Sequence, residues 1–301
     1  MNRTDFEIII VGGSYAGLSA AMSLGRSLRQ TLVIDSGQPC NAQTPHSHNF
    51  LTHDGETPNQ IAASGKSQVE NYPTVKFYNG LAASGKKIEN GFEVITAAGD
   101  LFTSKKLIFA TGLKDVMPGL KGFAACWGIS ILHCPYCHGY EVKNEKTGII
   151  GNGDAGFETA KMIQNWTKDL TIFTNGKAAF TQQQTEKLAR HGIKIMETEI
   201  AALSHERGKI RHIVFRDNSE EAVSAIYSRP AFVQHCNIPE QLGCGFTEHG
   251  LLKVDMFQQT TVPGIFAAGD NSNFGRALAL SVSSGTMAGA FINKALIDEE
   301  F

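Results

Sequence analysis

Short apolar runs alternate with helical patterns at the start of the chain. Residues 6–11 form a β-branched run that stops at a glycine pair, which is typical of a buried parallel strand. Residues 18–28 carry apolar side chains at helical spacing, and residues 31–35 predict a second strand. Strand, glycine turn, helix and strand in this order predict one βαβ unit.

A second unit of the same kind follows in the middle of the chain. The pattern predicts a strand over 148–150, a glycine turn over 151–156, a helix over 157–166 and a strand over 170–173. Two further strands, at 91–96 and 105–110, are predicted between the units, and an amphipathic helix is predicted over 277–296.

These elements predict an α/β fold of two Rossmann-like three-layer domains, the second inserted in the first. Proline-containing segments at 116–119, 229–230 and 238–240 are the expected crossings between the domains. The first domain is therefore expected to comprise residues 1–115 and 237–301, and the second to comprise residues 116–236.

Composition narrows the class of protein. The 27 basic and 29 acidic residues leave a net charge of −2, so no basic surplus is present to bind nucleic acid. The apolar runs are far shorter than the ~20 residues that a membrane-spanning helix needs. No export signal is visible at the N-terminus. We expect a cytoplasmic enzyme without a nucleic-acid or membrane partner.

The first glycine turn, residues 12–17, has the position of a dinucleotide-binding fingerprint. Glycine at such a turn lets backbone N–H groups approach a pyrophosphate at the positive end of a helix. Gly12 and Gly17 are present, while Ser14 replaces the central glycine and brings a hydroxyl group. Asp35 ends the second strand, where a carboxylate can accept hydrogen bonds from a ribose diol. The alternative is a tight turn without a ligand.

The second glycine turn keeps all three glycines, Gly151, Gly153 and Gly156. This pattern predicts a nicotinamide dinucleotide site. The strand that follows ends in Thr-Asn-Gly at 174–176, with neither an acid for a ribose diol nor an arginine cluster for a 2′-phosphate. NADPH and NADH therefore stay open as alternatives, as does a βαβ unit that has lost its ligand.

A Cys-x-x-Cys pair, Cys134 and Cys137, carries the most specific chemistry in the sequence. This spacing permits a disulfide within one helical turn, and Pro135 suits the first position of a helix that would begin at Cys134. His138 is the adjacent residue that can carry a proton near neutral pH. Zinc is an alternative that lacks a second ligand pair, and inert buried thiols are another. We predict a redox-active dithiol.

Five segments together resemble the low-molecular-weight thioredoxin-reductase-like flavoproteins. They are residues 11–21 (VGGSYAGLSAA), 110–112 (ATG), 133–141 (HCPYCHGYE), 151–156 (GNGDAG) and 262–270 (VPGIFAAGD). The resemblance implies that the first glycine turn holds FAD and that the inserted domain carries both the nicotinamide site and the dithiol. It also implies that Cys137 faces the flavin, that Cys134 attacks the external disulfide, and that the protein forms a homodimer whose inserted domain swivels.

The resemblance assigns candidate roles to individual positions. Cys134, Cys137 and His138 are the expected catalytic residues. The expected FAD-binding residues are Gly12, Ser14, Ala16, Gly17, Asp35, Asn49, Asp54, Thr111, Gly112, Gly269, Asp270, Arg276 and Ala277. The expected nicotinamide-binding residues are Gly151, Gly153, Asp154 and Gly156. No metal is expected, because the spacing of His46, His48 and His53 is loose and no acid or cysteine completes a ligand set.

The expected activity is electron transfer from NAD(P)H through FAD to the dithiol, and on to a thioredoxin-like protein or a small disulfide. His138 stands where ordinary thioredoxin reductases have aspartate, and Ala277 stands where they have glutamine. The form CPYCHGYE at 134–141, together with residues 49–55 (NFLTHDG), is more similar to the branch that includes fungal dithiol oxidases. An oxidase that uses O2, with little need of NAD(P)H, is therefore the first alternative, and a flavin redox sensor without turnover is the second.

Overall fold

The computed structural model describes residues 4–301. Within this range, seven strands form the larger sheet: β1 (Thr4–Val11), β2 (Thr31–Asp35), β3 (Val75–Asn79), β4 (Ala82–Ile88), β5 (Gly91–Thr96), β6 (Leu101–Phe109) and β17 (Ile265–Ala267). Their order in the sheet is β3-β2-β1-β6-β5-β4, with β17 beside β6. The pairs that join β3, β2, β1, β6 and β17 are parallel, whereas β5 and β4 continue the sheet antiparallel.

Helices α1 (Tyr15–Arg26), α2 (Pro58–Glu70) and α8 (Leu278–Glu300) accompany this sheet. Ala16, Ala20 and Leu24 of α1 are buried together with Ala288 and Ile292 of α8. The two helices approach closely, because a Cβ at Gly285 of α8 would overlap the backbone of Ala16. This packing holds the first turn of α1 at the carboxyl end of β1.

The second sheet is parallel and has the order β11-β10-β9-β15-β8. Its strands are β8 (Ile131–Leu132), β9 (Thr147–Ile150), β10 (Leu170–Phe173), β11 (Lys194–Met196) and β15 (Ala225–Ser228). The accompanying helices are α3 (Phe123–Cys126), α4 (Pro135–His138), α5 (Gly153–Ile163) and α6 (Gln182–Arg190). An antiparallel sheet of β12 (Ile200–Glu206), β13 (Lys209–Phe215) and β14 (Glu220–Ala222) lies against this unit through Phe123 and Leu203.

The chain crosses between the two large sheets at a pair of short strands. These are β7 (Leu113–Asp115) and β16 (Phe232–Gln234), which pair antiparallel and precede α7 (Ile238–Gln241). The α/β architecture with two βαβ units agrees with the sequence prediction. The domain limits 1–115 with 237–301, and 116–236, stay a prediction.

Several element boundaries differ from the predictions. Helix α1 begins at Tyr15 and α5 at Gly153, three and four residues before the predicted starts, because residues of the glycine turns are already helical. Apolar periodicity does not register such residues. Strand β6 is longer than predicted at its start, and α8 extends to Glu300.

Candidate active site

A cavity of about 410 Å³ lies between the two units. The first unit lines it with the turn after β1, the end of β2, a long loop between β2 and α2, the turn after β6 and the segment before α8. The second unit contributes residues next to and within α4. Among the lining residues are Gly12, Ser14, Ala16, Asp35, Asn49, Thr111, Gly112, Cys137, His138, Gly269, Asp270, Arg276 and Ala277.

The turn after β1 is shaped for close approach of a ligand. Gly12 has φ of +104°, and a Cβ there would overlap the carbonyl oxygen of Ala110, so only glycine fits without strain. Ser14 precedes α1 and makes no side-chain cap, which leaves the first N–H groups of the helix without a side-chain acceptor beside the cavity. Free N–H groups at a helix N-terminus attract anions such as a pyrophosphate.

Asp35, the last residue of β2, contacts this turn. One carboxylate oxygen accepts a hydrogen bond from the Gly13 N–H at 3.0 Å. The carboxylate keeps further lone pairs for donors in the cavity, such as the hydroxyl groups of a ribose. A Cβ at Gly13 would lie 2.8 Å from the Cβ of Asp35, so this glycine lets strand and turn meet. The donors, the acceptor and the space fit the adenosine and pyrophosphate parts of FAD.

Arg276 and two carboxylates form a buried ionic cluster in the lining of the cavity. Arg276 makes two hydrogen bonds to Asp115, at 2.7 and 3.0 Å, and its Nε lies 3.5 Å from Asp270. Burial raises the pKa of Asp270, while the Arg276 guanidinium opposes that rise. Asp115, which ends β7, is a residue that sequence analysis missed, since no motif marks it.

The dithiol sits at the start of α4, as predicted. Cys134 and Cys137 form a disulfide with their Cα atoms 5.4 Å apart. Cys134 is the N-cap residue, Pro135 is the first helical residue, and the Cys137 N–H donates to Cys134 Sγ at 3.2 Å. Cys137 and His138 line the cavity, whereas Cys134 does not. The two sulfur atoms are therefore placed differently with respect to the cavity.

Two histidines beside the disulfide favour the neutral form. Burial lowers the pKa of His133 to about 4, and Arg276 adds to this shift. Burial also lowers the pKa of His138, the Glu141 carboxylate opposes the shift, and His48 adds to it. A neutral imidazole at pH 7 can accept a proton from a thiol. His138 thus follows Cys137 directly and lines the same cavity, with its pKa lowered by burial.

The second glycine turn does not reach this cavity. Gly151 and Gly156 approach closely, as a pyrophosphate turn requires, and Asp154 lies in the first turn of α5. However, the Asn152 Oδ1 accepts hydrogen bonds from Gly153 N–H and Ala179 N–H, both at 2.8 Å. The backbone fits a dinucleotide, but a side chain of the protein already uses two donors there.

Some of the remaining predicted residues line the cavity and others do not. The Asn49 N–H donates to Asp54 Oδ1 at 2.7 Å, and Asn49 lines the cavity while Asp54 does not. Gly17 also lies outside the lining, where a Cβ would overlap the carbonyl oxygen of Gly12. Cys40, an exposed cysteine, lines the cavity, although sequence analysis assigned it no role.

Over residues 4–301, no group of histidine, cysteine and acidic side chains is arranged to hold a metal ion. In the same range, no helix combines the length and the apolar character needed to cross a bilayer.

The whole chain is similar to known proteins of one family. Residues 6–287 match the family model for pyridine nucleotide-disulphide oxidoreductases. The protein is 32% identical to the thioredoxin reductase sirT of Leptosphaeria maculans, over 96% of this chain and 93% of the relative. It is similar to the crystal structure of a putative thioredoxin reductase TrxB from Bacillus anthracis (TM-score 0.94, 29% identity, 98% and 100% coverage). It is also similar to an oxidoreductase from Agrobacterium tumefaciens (TM-score 0.92, 35% identity, 98% and 99% coverage).

The chain therefore belongs to the pyridine nucleotide-disulphide oxidoreductase family. It is a thioredoxin-reductase-like, FAD-dependent oxidoreductase with the two-domain Rossmann-type fold, and FAD and NAD(P)H are the cofactors of this class. These findings confirm the predicted resemblance, fold class and enzyme class.

Proposed function

We propose that this protein passes electrons from NAD(P)H through FAD to the Cys134–Cys137 disulfide, and from there to a thioredoxin-type or small disulfide substrate. The observation that carries the proposal is the shared cavity: Cys137 and His138 of one unit line it together with the Gly12 turn of the other. A dithiol and a flavin exchange electrons only when they are in contact, so a common cavity is the required arrangement.

The first unit supplies the groups that would hold FAD. The first turn of α1 and Ser14 would bind the pyrophosphate, Asp35 would accept hydrogen bonds from the adenosine ribose, and Asp270 with the segment 276–277 would lie on the side of the ring system. FAD supplies a carrier that accepts two electrons from a nicotinamide and donates two to a disulfide. We propose the same role for Ala16, Gly17, Asn49, Thr111, Gly112 and Gly269, with Asp54 acting through Asn49.

The exchange with substrate follows from the two sulfur positions. The Cys134 thiol gives its proton to His138, and the Cys134 thiolate attacks one sulfur of the substrate disulfide. A mixed disulfide forms, and the other substrate sulfur leaves as a thiolate that takes this proton back from His138. The Cys137 thiol then gives its proton to His138, and its thiolate attacks Cys134 Sγ. This re-forms the Cys134–Cys137 disulfide and releases the second substrate thiolate, which takes the proton from His138, so the protein loses two electrons and the substrate gains two.

Partners and location belong to the same proposal. A reductase of this type would act on a thioredoxin-like protein or a small disulfide, as a homodimer in the cytoplasm. Support comes from relatives that are named thioredoxin reductases. The near-neutral charge balance also gives no reason to expect a nucleic-acid partner.

A dithiol oxidase is the second candidate, and the contacts of Asn152 in the second glycine turn favour it. Asn152 uses two backbone donors there, and the segment 174–176 provides no charged group for a nucleotide ribose or phosphate. In that activity a substrate dithiol becomes a disulfide, and O2 takes the two electrons and two protons to form hydrogen peroxide. Gly151, Gly153, Asp154 and Gly156 would then bind no nicotinamide.

Anaerobic titration of the FAD-loaded protein separates the candidates. We expect NADPH or NADH to bleach the flavin absorbance within seconds, with electrons then recovered in a disulfide such as oxidised thioredoxin. Bleaching by dithiothreitol alone, with peroxide formed after air is admitted, would instead establish the oxidase. If the protein turns over no dithiol and no disulfide, both proposed enzyme activities are contradicted. A flavin redox sensor without turnover is then the remaining interpretation.

A further inference from the structure

Three neighbouring strands of the second sheet end together beside the second glycine turn. Strands β9, β10 and β11 are parallel, and their register aligns the last residues, Ile150 with Phe173 and Phe173 with Met196. The turn at 151–156 follows β9, and the loop at 174–181 follows β10. In sheets of this kind, ligands bind outside the carboxyl ends of the strands, with the adenosine ribose at the loop after the second strand of the βαβ unit. A dinucleotide held by this turn therefore has its ribose at this loop.

The loop itself offers little that recognises a ribose or its phosphate. The Thr174 hydroxyl is buried and donates to the Gly176 carbonyl at 2.6 Å. The Asn175 side-chain oxygen accepts from the Ile200 N–H at 2.7 Å, which directs this side chain toward β12. Lys177 is the only charged residue of the loop, and it is exposed. The loop therefore supplies neither an acid for a ribose diol nor an arginine for a 2′-phosphate.

A carboxylate reaches the loop from the next strand. Glu197 follows β11 directly, and its Oε1 accepts a hydrogen bond from the Ala178 N–H at 2.6 Å. The Glu197 backbone carbonyl also accepts from the Gly176 N–H, at 2.9 Å, so backbone and side chain both hold this residue to the loop. Glu197 is exposed, and among the described residues only one of its two carboxylate oxygens accepts a hydrogen bond. The other oxygen can accept from the hydroxyl groups of a ribose.

The loop and the glycine turn are joined by Asn152. Its Oδ1 accepts from the Ala179 N–H at 2.8 Å, and its Nδ2 donates to the Lys177 carbonyl at 2.9 Å. Glu197 bonds Ala178, which lies between these two residues. The carboxylate is therefore bonded to the same stretch of loop as the side chain that caps the glycine turn, and its negative charge lies at the ribose end of the dinucleotide site.

We propose that Glu197 makes the second glycine turn selective for NADH over NADPH, by accepting hydrogen bonds from the adenosine ribose and repelling a 2′-phosphate. Such a phosphate carries roughly −1.5 to −2 charges at pH 7 and would meet this carboxylate with Lys177 as the one counter-charge of the loop. Arginine, which binds phosphate through two parallel hydrogen bonds, is absent from the loop. The proposal rests on the proposed function, in which a nicotinamide is the electron donor. The selectivity lies in binding, so no bond is made or broken in it.

Two measurements on the FAD-loaded protein, without oxygen and at one ionic strength, test the selectivity. The first is the binding of NAD⁺ and NADP⁺ by calorimetry, because the oxidised forms bind without reducing the flavin. The second is the concentration of NADH or NADPH that gives half-maximal flavin bleaching. For the unchanged protein we expect NAD⁺ and NADH to be preferred by roughly tenfold.

Glu197→Gln removes the charge and keeps an oxygen that can accept from the Ala178 N–H. We expect NADP⁺ and NADPH to bind roughly fivefold to tenfold more tightly in this variant, and NAD⁺ and NADH to bind roughly twofold less tightly, so that the preference is lost. Glu199→Gln is the matched control, because it removes the same charge two residues further along the chain, where Glu199 pairs with Arg216 at 3.0 Å. We expect this variant to keep the preference of the unchanged protein.

Equal binding of NAD⁺ and NADP⁺ to the unchanged protein, or tighter binding of NADP⁺, overturns the proposal. A preference that survives in Glu197→Gln also overturns it, as does an equal loss in Glu199→Gln, which would show an effect of net charge alone. Flavin bleaching keeps the proposed function separate. If neither NADH nor NADPH bleaches the flavin, the proposed function fails, while the binding of NAD⁺ and NADP⁺ still decides the selectivity. If neither of these binds, the selectivity is contradicted as well.

Discussion

At the scale of single residues, surroundings rather than residue type set the protonation of the histidines beside the dithiol. His133 and His138 are adjacent to the two cysteines in sequence, and burial is the largest cause of the fall in both pKa values. The His133 ring lies 6.0 Å from the Trp127 ring, and its Nε2 is buried without a partner among the described residues. The motif predicted a proton carrier at His138, but only packing explains why it is neutral.

His133 makes the stability of the fold depend on pH. The unfolded chain binds a proton at His133 below about pH 6.5, whereas the folded protein binds it only near pH 4. The free energy of unfolding therefore falls as the pH drops through this window, by up to about 3 kcal/mol from this residue. Urea midpoints at pH 7 and pH 4.5 should differ less in His133→Gln than in the unchanged protein. Equal pH dependence in both would contradict the assignment.

At the scale of elements, two glycine turns of similar sequence have different contacts. Ser14 before α1 makes no cap and lies beside the cavity, whereas Asn152 before α5 caps its helix and donates through Nδ2 to the Lys177 carbonyl at 2.9 Å. Both extended N-cap conformations are ordinary for such turns. The difference lies in whether a neighbouring loop closes on the turn.

Removing the Asn152 side chain should open the second turn. Asn152→Ala frees the N–H groups of Gly153 and Ala179 for a pyrophosphate, and one hydrogen bond gained corresponds to roughly fivefold tighter binding. The concentration of NADPH or NADH that gives half-maximal flavin bleaching should fall accordingly, while the lost cap lowers stability by about 1 kcal/mol.

Thr181→Ala is the control for that measurement, since it removes the cap of α6 in the same unit. We expect it to lower stability without changing the nicotinamide dependence. If Asn152→Ala also leaves that dependence unchanged, the Asn152 contacts do not restrict the turn.

At the scale of the whole molecule, the two units meet so that the dithiol, and not the second glycine turn, faces the cavity. The Gln43 amide of the long loop donates to the carbonyls of Trp127 and Ala124, the latter at 3.2 Å. A Cβ placed at Gly128 would lie 3.0 Å from Thr44 Oγ1. These contacts join the loop between β2 and α2 to the second unit in this arrangement.

A disulfide between positions 44 and 128 should lock the arrangement, because the side chains there are close enough to bridge. Hydride transfer requires reacting atoms to be about 3–3.5 Å apart, and the turn at 151–156 does not line the cavity. The variant Thr44→Cys with Gly128→Cys should therefore lose flavin reduction by NAD(P)H.

The single variants are the controls for the lock, and they also report the strain of a side chain at Gly128, where φ is +74°. Both single variants should keep flavin reduction by NAD(P)H. Rapid NAD(P)H reduction in the bridged protein would show that no reorientation of the units is needed.

Local patterns predicted the elements that depend on local forces. The strand at Thr31–Asp35 and the strand at Leu170–Phe173 have the predicted bounds, because a short run rich in apolar and β-branched residues indicates a buried strand directly. Asp115 and Glu141 carried no such signal, since a single acid acquires a role only from the arginine or histidine that the fold places beside it. For the same reason His48 was not recognised as a partner of the dithiol segment.

The order of residues by itself determined two βαβ units, a dithiol at the start of a short helix and the family to which the chain belongs. These depend on spacing along the backbone, which folding does not change. Only the tertiary structure decided which groups share a cavity: Cys137 with the Gly12 turn, Arg276 with Asp115, and His48 with Glu141. These contacts depend on how the two sheets pack across β7 and β16. The two strands pair with each other although they are more than a hundred residues apart in the chain.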